Sequence, residues 1–195
     1  AGVHALEYFC TLQPGEGAPV IPTERIPYAL NVRLNEDVTV FFAQEVDNSF
    51  HARYNVKSKT YEYVIDNGSF RDPFQYGRAW HLKRELDELR MDQAAKAFVG
   101  KHDFSAFMAS GSSVKDTVRT VREASVRREG SNVVFTVSED GFLYNMVRIM
   151  TGTLTDVSYG KFAPEDIDRI IRSQSRNMAG RTAPPEGLYL KRVEY

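Results

Sequence analysis

One cysteine, Cys10, stands among 195 residues, so an internal disulfide is excluded, and a lone thiol fits a reducing cytoplasm. No run of about 18 apolar residues occurs, which excludes a membrane-spanning helix. The first residues, Ala-Gly-Val-His-Ala, lack the basic start and apolar core of a signal peptide. They lack Met as well, so the start is not expected to be a translation start. The four histidines, His4, His51, His81 and His102, are scattered, with no Cys-x-x-Cys or His-Glu-x-x-His spacing. No structural or catalytic metal is therefore expected. An excess of one charge sign is missing too: 25 Lys and Arg against 26 Asp and Glu leave −1. A polyanionic partner would have to be held by local clusters of Lys and Arg. Internal repeats and low-complexity tracts are absent.

What is present is an ordinary globular composition, 42% hydrophobic and 26% charged, in a chain long enough for one large domain or one domain plus part of another. Residues 6–12 read as a strand ending at the turn-rich Gln13-Pro14-Gly15 segment. Residues 23–34 read as a short helix with Thr23 as N-cap. Strands are predicted over 38–46, rich in Val and Phe, and over 57–65, which alternates cleanly. Asp66-Asn67-Gly68 carries a type I′ turn signal, and a further strand is expected over 76–82. A helix over 84–99 ends at Gly100. Residues 120–128 and 132–138 form a predicted hairpin. Over 142–157, Leu143, Met146, Val147, Met150 and Leu154 share one stripe at about 100° per residue. A short helix over 164–172 and a strand over 188–193 follow. Antiparallel strands with helices between them make an α+β protein. The polar step at Asp47-Asn48 places a boundary between residues 1–46 and 47–195.

Four segments have the residue types for chemistry, and each also has an ordinary reading. Ala1–Ala5, read alone, is five small residues before a strand. Phe50-His51-Ala52-Arg53 precedes Lys57, Lys59, Tyr61 and Tyr63, which share one strand face at period 2. Basic groups among aromatics suit phosphate contact and base stacking, but also suit a solvated face. In the segment 141–148, Arg148 lies roughly 140° from Leu143 on a helical wheel, beside Tyr144, Thr151 and Thr155. It is either a solvent-facing arginine or a guanidinium placed to pair with a carboxylate. In 183–190, two prolines and a glycine deliver Leu188 to a strand, which a rigid turn would also do. Lys115, Arg119, Arg122, Arg127 and Arg128 cluster beside Ser110-Gly111-Ser112-Ser113, as a phosphate track or as a solvated face.

Taken in order, these segments and residues 27–31, 102–107 and 119–121 resemble the TruA family of tRNA pseudouridine synthases over essentially the whole chain. The resemblance implies a pseudouridine synthase fold: a mixed, mainly antiparallel sheet flanked by helices, in two similar domains of which the first is truncated here. It implies a cofactor-free enzyme that converts uridines 38 to 40 of the tRNA anticodon stem-loop into pseudouridine, working as a homodimer. The base is flipped into a cleft, at a few kcal/mol of unstacking, and attacked by an aspartate, which is nucleophilic when ionised. That aspartate belongs to a Gly-Arg-Thr-Asp-Ala-Gly-Val-His-Ala motif, and this sequence begins at the Ala after Asp. The chain alone is thus expected to be inactive. None of Asp72, Asp103, Asp116 or Asp140 stands in a matching context. By the same resemblance, Tyr61 stacks on the target base, Arg148 orients the aspartate, and Leu188 walls the pocket. Gly2, Val3 and His4 form the loop that positions the nucleophile. Arg119 and Arg127, from the basic cluster beside the Gly-Ser loop, and Arg53 are the candidates for RNA contact. The alternative is a tRNA-binding remnant without catalysis, or a generic α+β interaction domain.

Overall fold

The computed structural model describes residues 4–5, 21–111 and 114–195. The strand expected over 6–12, and Cys10, Gly2, Val3, Ser112 and Ser113, lie outside the described residues. The chain divides into two compact units, Phe9–Asn55 and Ala1–Tyr8 with Val56–Tyr195. The division comes after Asn55 rather than near Asp47, whose turn closes on itself through Ser49 N and Oγ to Asp47 Oδ1 at 2.8 and 2.6 Å.

In the smaller unit, a single 3₁₀ turn at Thr23–Arg25 leads into α1 (Ile26–Asn31). Thr23 does not cap this helix; its hydroxyl donates to Glu45 Oε1 at 3.1 Å. The strand expected over 38–46 does not form. Asn31 takes the place of a strand partner: its side chain donates to Val40 O and accepts from Val40 N, both at 2.7 Å. The β-rich composition of Val38, Val40, Phe41 and Phe42 finds no ladder among the described residues, and composition alone does not supply one.

The larger unit is built on a seven-stranded sheet: β1 (His4–Ala5), β2 (Ser58–Asp66), β3 (Trp80–His81), β4 (Gly100–Asp103), β5 (Val118–Glu129), β6 (Asn132–Glu139) and β7 (Leu188–Glu194). The order is β1-β7-β2-β6-β5-β4, with β3 beside β2. β5 and β6 form the predicted hairpin, turning at Gly130, whose φ of +60° suits glycine. Asp66-Asn67-Gly68 is not a hairpin turn, since Gly68 has no positive φ. Asp66 Oδ1 accepts from Gly68 N, and Asn67 bonds Leu82 O, Arg84 O and Leu86 N. β2 consequently runs on to a parallel pairing with the short β3.

Helices α2 (Glu88–Lys96), α3 (Met146–Ser158) and α4 (Asp166–Ser173) complete the unit. α2 starts later than residue 84 because Asp87 caps it, accepting from Arg90 N at 3.0 Å. α3 starts at Met146 because Asn145 adopts φ +60°, which no helix continues through. The core joins the inward row Val133, Phe135 and Val137 of β6 to Tyr63 and Ile65 of β2 and to all three helices. A bulge between Val121 and Glu123 lets both Val121 and Ala124 point inward despite their odd spacing.

Two glycines bring the segment before β7 onto α3. A Cβ on Gly152 would lie 1.8 Å from Arg181 O, and one on Gly180 would lie 2.7 Å from Thr153 Cα. Both contacts are with backbone, which cannot swing aside. Gly152→Ala is therefore expected to destabilise the protein by about 1–3 kcal/mol, lowering Tm by roughly 2–4 °C per kcal/mol. An unchanged melting curve would show that residues 180–183 do not rest on α3.

Candidate active site

The inward face of β2 carries Tyr61, Tyr63 and Ile65 at period 2. Tyr61 is partly buried, with Phe142 edge-on at 4.8 Å. Tyr63 is fully buried, and its hydroxyl donates to Pro184 O at 2.5 Å. Burial first, then the charge of Glu186, pushes this phenol well above its ordinary pKa, against Arg148 and Arg181. Leu188, buried, stands opposite Tyr63 in the β2–β7 register. The approach to β7 is possible only because residue 187 is glycine: a Cβ there would lie 2.4 Å from Val64 O.

Arg148 occupies the first turn of α3 and clamps the same loop. Its Nε donates to Ala183 O at 2.7 Å, while Ala183 N donates to Arg148 O at 3.0 Å. Its Nη1 donates to Asn145 Oδ1 at 2.8 Å, and the left-handed turn at Asn145 allows this short reach. Nη2 meets no acceptor among the described residues. The wheel set Arg148 beside Thr151 and Thr155 and left open whether that side faces solvent or a cleft; it is not a solvated face. Both threonines are fully buried, their hydroxyls bonded back to Val147 O and Gly152 O. Leu143, used as the wheel's reference, precedes the helix.

The geometry thus brings together Tyr61, Tyr63, Arg148 and Leu188, from β2, α3 and β7. β1 runs parallel to β7, with His4 opposite Tyr189 and Ala5 opposite Leu190. Its N-terminal end consequently points toward Leu188 and the clamped loop.

Glu139, absent from the sequence reading, is the most unusual group nearby. It is fully buried on the row of Val133, Phe135 and Val137, and neither carboxyl oxygen has a hydrogen-bond partner among the described residues. Burial, with help from Asp140 and opposed by Arg119, pushes its pKa up to about 9. It lies opposite Lys59 in the β2–β6 register, yet no ion pair joins them. Burial, then Glu139, raises the pKa of Tyr61 as well. Arg119 borders this group: its Nε lies 3.9 Å from where a Gly141 Cβ would be, and Nη1 donates to Asp116 O and Val118 O. The signal for Glu139 was in the alternation, a carboxylate continuing an apolar inward row.

Other expected residues are not gathered here. Arg127 lies on the outer face of the sheet, bonded to Glu62, Glu129 and Thr136. Burial opposes ionisation of Glu62, but hydrogen bonds from Lys191 and Arg127 outweigh it and hold its pKa low. Arg122 donates to Lys57 O, and Arg128 pairs with Glu88 at 2.8 Å. Arg53 belongs to the smaller unit, its guanidinium 5.7 Å from the Tyr54 ring centroid. For His4 only the backbone is described. Asp72, Asp103, Asp116 and Asp140 each accept local backbone N–H groups, from Phe74, Ser105, Val118 and Thr120. Among the described residues no group of three His, Cys, Asp or Glu side chains is placed to hold a metal, and no helix is long and apolar enough to cross a membrane.

Comparison with known proteins gives this arrangement its context. A family model for tRNA pseudouridine synthase matches residues 94–195. The chain is similar to tRNA pseudouridine synthase A of Acetivibrio thermocellus, 48% identical over 194 residues, covering all of this chain and 78% of that one. The protein of the same name from Thermoanaerobacter sp. X514 is 43% identical over the same shares. That of Moorella thermoacetica is 47% identical over 175 residues, 90% of this chain and 71% of the relative. A match over half of the chain and relatives this similar establish that the chain belongs to the tRNA pseudouridine synthase family, whose members are isomerases.

Proposed function

We propose that the protein converts uridine to pseudouridine at positions 38 to 40 of the tRNA anticodon stem-loop, as a cytoplasmic homodimer of two-domain subunits and without a cofactor. The observation that carries the reading is the clamp of Arg148 on Ala183, with Pro184 held by Tyr63 and Leu188 opposite it. In this reading the nucleophile is an aspartate directly before Ala1, in the loop of Gly2, Val3 and His4. The parallel pairing of β1 with β7, His4 opposite Tyr189, supports this reading.

Arg148 offers Nη2 to the carboxylate, fixing its direction and keeping it ionised. The ring of Tyr61 receives the flipped uracil, and Leu188 closes the wall against water. The carboxylate attacks C1′, forming a C1′–O ester as the C1′–N1 bond breaks and the electron pair leaves with the base. The base turns, C5 displaces the carboxylate so that the ester bond breaks as C1′–C5 forms, and the C5 proton is lost as N1 gains one, which leaves the aspartate free again. The product is an isomer of the substrate, so no redox partner is consumed. Arg119, beside Gly141, contacts backbone phosphate; Arg127, on the outer face of the sheet, and Arg53, in the smaller unit, are further candidates for RNA contact.

The test is single-turnover assay of unmodified tRNA, mapping pseudouridine by position. Protein from the complete gene is expected to modify 38 to 40, and a chain starting at Ala1 to give none above blank. Product from the shortened chain would overturn the assignment of the nucleophile. Absence of product from the complete protein would overturn the function.

A further inference from the structure

A cavity of about 350 Å³ opens beside β3, and its walls include Arg71, Tyr76, Trp80 and, from the loop that Arg148 clamps, Pro184 and Glu186. In this wall the Arg71 guanidinium is 5.9 Å from the Tyr76 centroid, and Arg181, outside the lining, is 4.7 Å from the Trp80 centroid. Neither guanidinium makes a hydrogen bond or ion pair to a described residue. Three polar side chains nearby, Asp66, Asp72 and His81, are occupied. Asp66 accepts from Gly68 N and Asp72 N, Asp72 accepts from Phe74 N and Gln75 Nε2, and His81 bonds Gly68 O. Tyr76 is 74% exposed, and Phe70 and Phe74, a few residues before it in sequence, are 87% and 89% exposed.

Free guanidiniums stacked on rings match the chemistry of an unpaired nucleotide. The base lies on the ring, and the planar fork takes the phosphate. The Glu186 carboxylate, also without a hydrogen-bond partner among the described residues, accepts from a ribose 2′-hydroxyl or a base N–H, which a purely anionic ligand lacks. The position matters as much as the composition. Pro184 and Glu186 belong to the loop that forms the candidate active site, so a nucleotide here is a neighbour of one bound against Tyr61.

We propose that this cavity is a second nucleotide subsite, holding an unpaired nucleotide adjacent to the target uridine. Tyr76 and Trp80 supply the stacking faces and Arg71 the phosphate contact. The inference rests on the tRNA-modifying reading above.

The experiment uses protein from the complete gene and an anticodon stem-loop RNA, alongside the same RNA made abasic at the nucleotides flanking the target. Tyr76→Ala is expected to weaken binding of the intact RNA about tenfold, the scale of one lost base stack. It should have no further effect on the abasic RNA. Arg71→Ala should weaken binding of both RNAs and reduce the salt slope by about one, while Arg71→Lys retains the slope. KM should rise with kcat nearly unchanged, since neither side chain reaches the reacting base. Light scattering on each variant reports assembly. Unchanged affinity for both variants, with normal turnover, overturns the subsite and leaves the function standing. A loss of affinity that follows conversion of dimer to monomer also overturns it, assigning the exposed rings to a second copy of the chain. Wild-type protein that neither binds nor modifies the RNA overturns the reading on which the subsite rests.

Discussion

Arg148→Ala is expected to lower single-turnover pseudouridine formation at least a hundredfold in protein carrying the upstream aspartate, with the fold retained. A hundredfold corresponds to about 2.7 kcal/mol of transition-state stabilisation. The proposed pairing supplies this, because removing one side of a buried ion pair costs about 3–5 kcal/mol and raises the pKa of the stranded carboxylate. The structure adds a second effect that must be separated. Arg148 also holds Ala183 O and Asn145 Oδ1, and losing such bonds costs about 0.5–1.5 kcal/mol each in stability. A lower Tm alone is thus no evidence for catalysis. Arg148→Lys resolves the two: an ammonium restores the charge and one contact, but not a fork that holds the loop with one edge and a carboxylate with the other. Lysine should therefore recover more of the melting temperature than of the turnover. Near-normal turnover in a folded alanine variant would reduce Arg148 to a clamp for the 183–187 loop.

The parts of this fold legible in the sequence are those where local and tertiary demands coincide. The β5–β6 hairpin is one, with a glycine at its turn and an inward row of Val133, Phe135 and Val137. α4 is another, its Ile167, Ile170 and Ile171 buried on one side. The reading failed where a side chain replaced a backbone partner. Asn31 satisfies Val40 from within the same unit, so a β-rich run stays without a ladder. Asn67 ties three backbone groups, so a hairpin signal becomes a continuing strand. The wheel left Arg148 open between two readings for a related reason: α3 is buried nearly all round, so its stripe did not mark its solvent side. Motifs singled out Tyr61, Arg148 and Leu188 as candidates, but the contacts that join their segments run between residues 35 or more apart, as from Arg148 to Ala183. Such pairs follow from the close approach of Gly152 and Gly180 to their neighbours, which no local pattern encodes.

Glu139→Gln is expected to stabilise the protein at neutral and alkaline pH, with a gain that grows as pH rises. In the folded chain Glu139 is fully buried with both oxygens unpartnered, and its pKa stands near 9 against an ordinary 4.5. Below about pH 4.5 the carboxyl is protonated in both folded and unfolded chains and contributes no pH dependence. Between 4.5 and 9 the unfolded chain releases the proton while the folded chain retains it. Rising pH therefore favours unfolding across that window, by about 1.4 kcal/mol per unit. The accumulated cost at pH 7 is about 3 kcal/mol, or roughly 6–12 °C in Tm. Above pH 9 both states are ionised and the penalty stops growing. Glutamine keeps the shape but does not titrate, so this contribution disappears. Its amide brings a buried donor of its own, at about 1–3 kcal/mol if left unbonded. For that reason the diagnostic is the slope, not the stability at any single pH. Denaturant melts of both proteins from pH 5 to 9 should diverge steadily, with the variant flatter, and other titrating groups cancel because both proteins share them. Parallel curves would mean that Glu139 ionises at its ordinary pKa in the fold, with Lys59 opposite it or Arg119 beside it drawn in as the counter-charge.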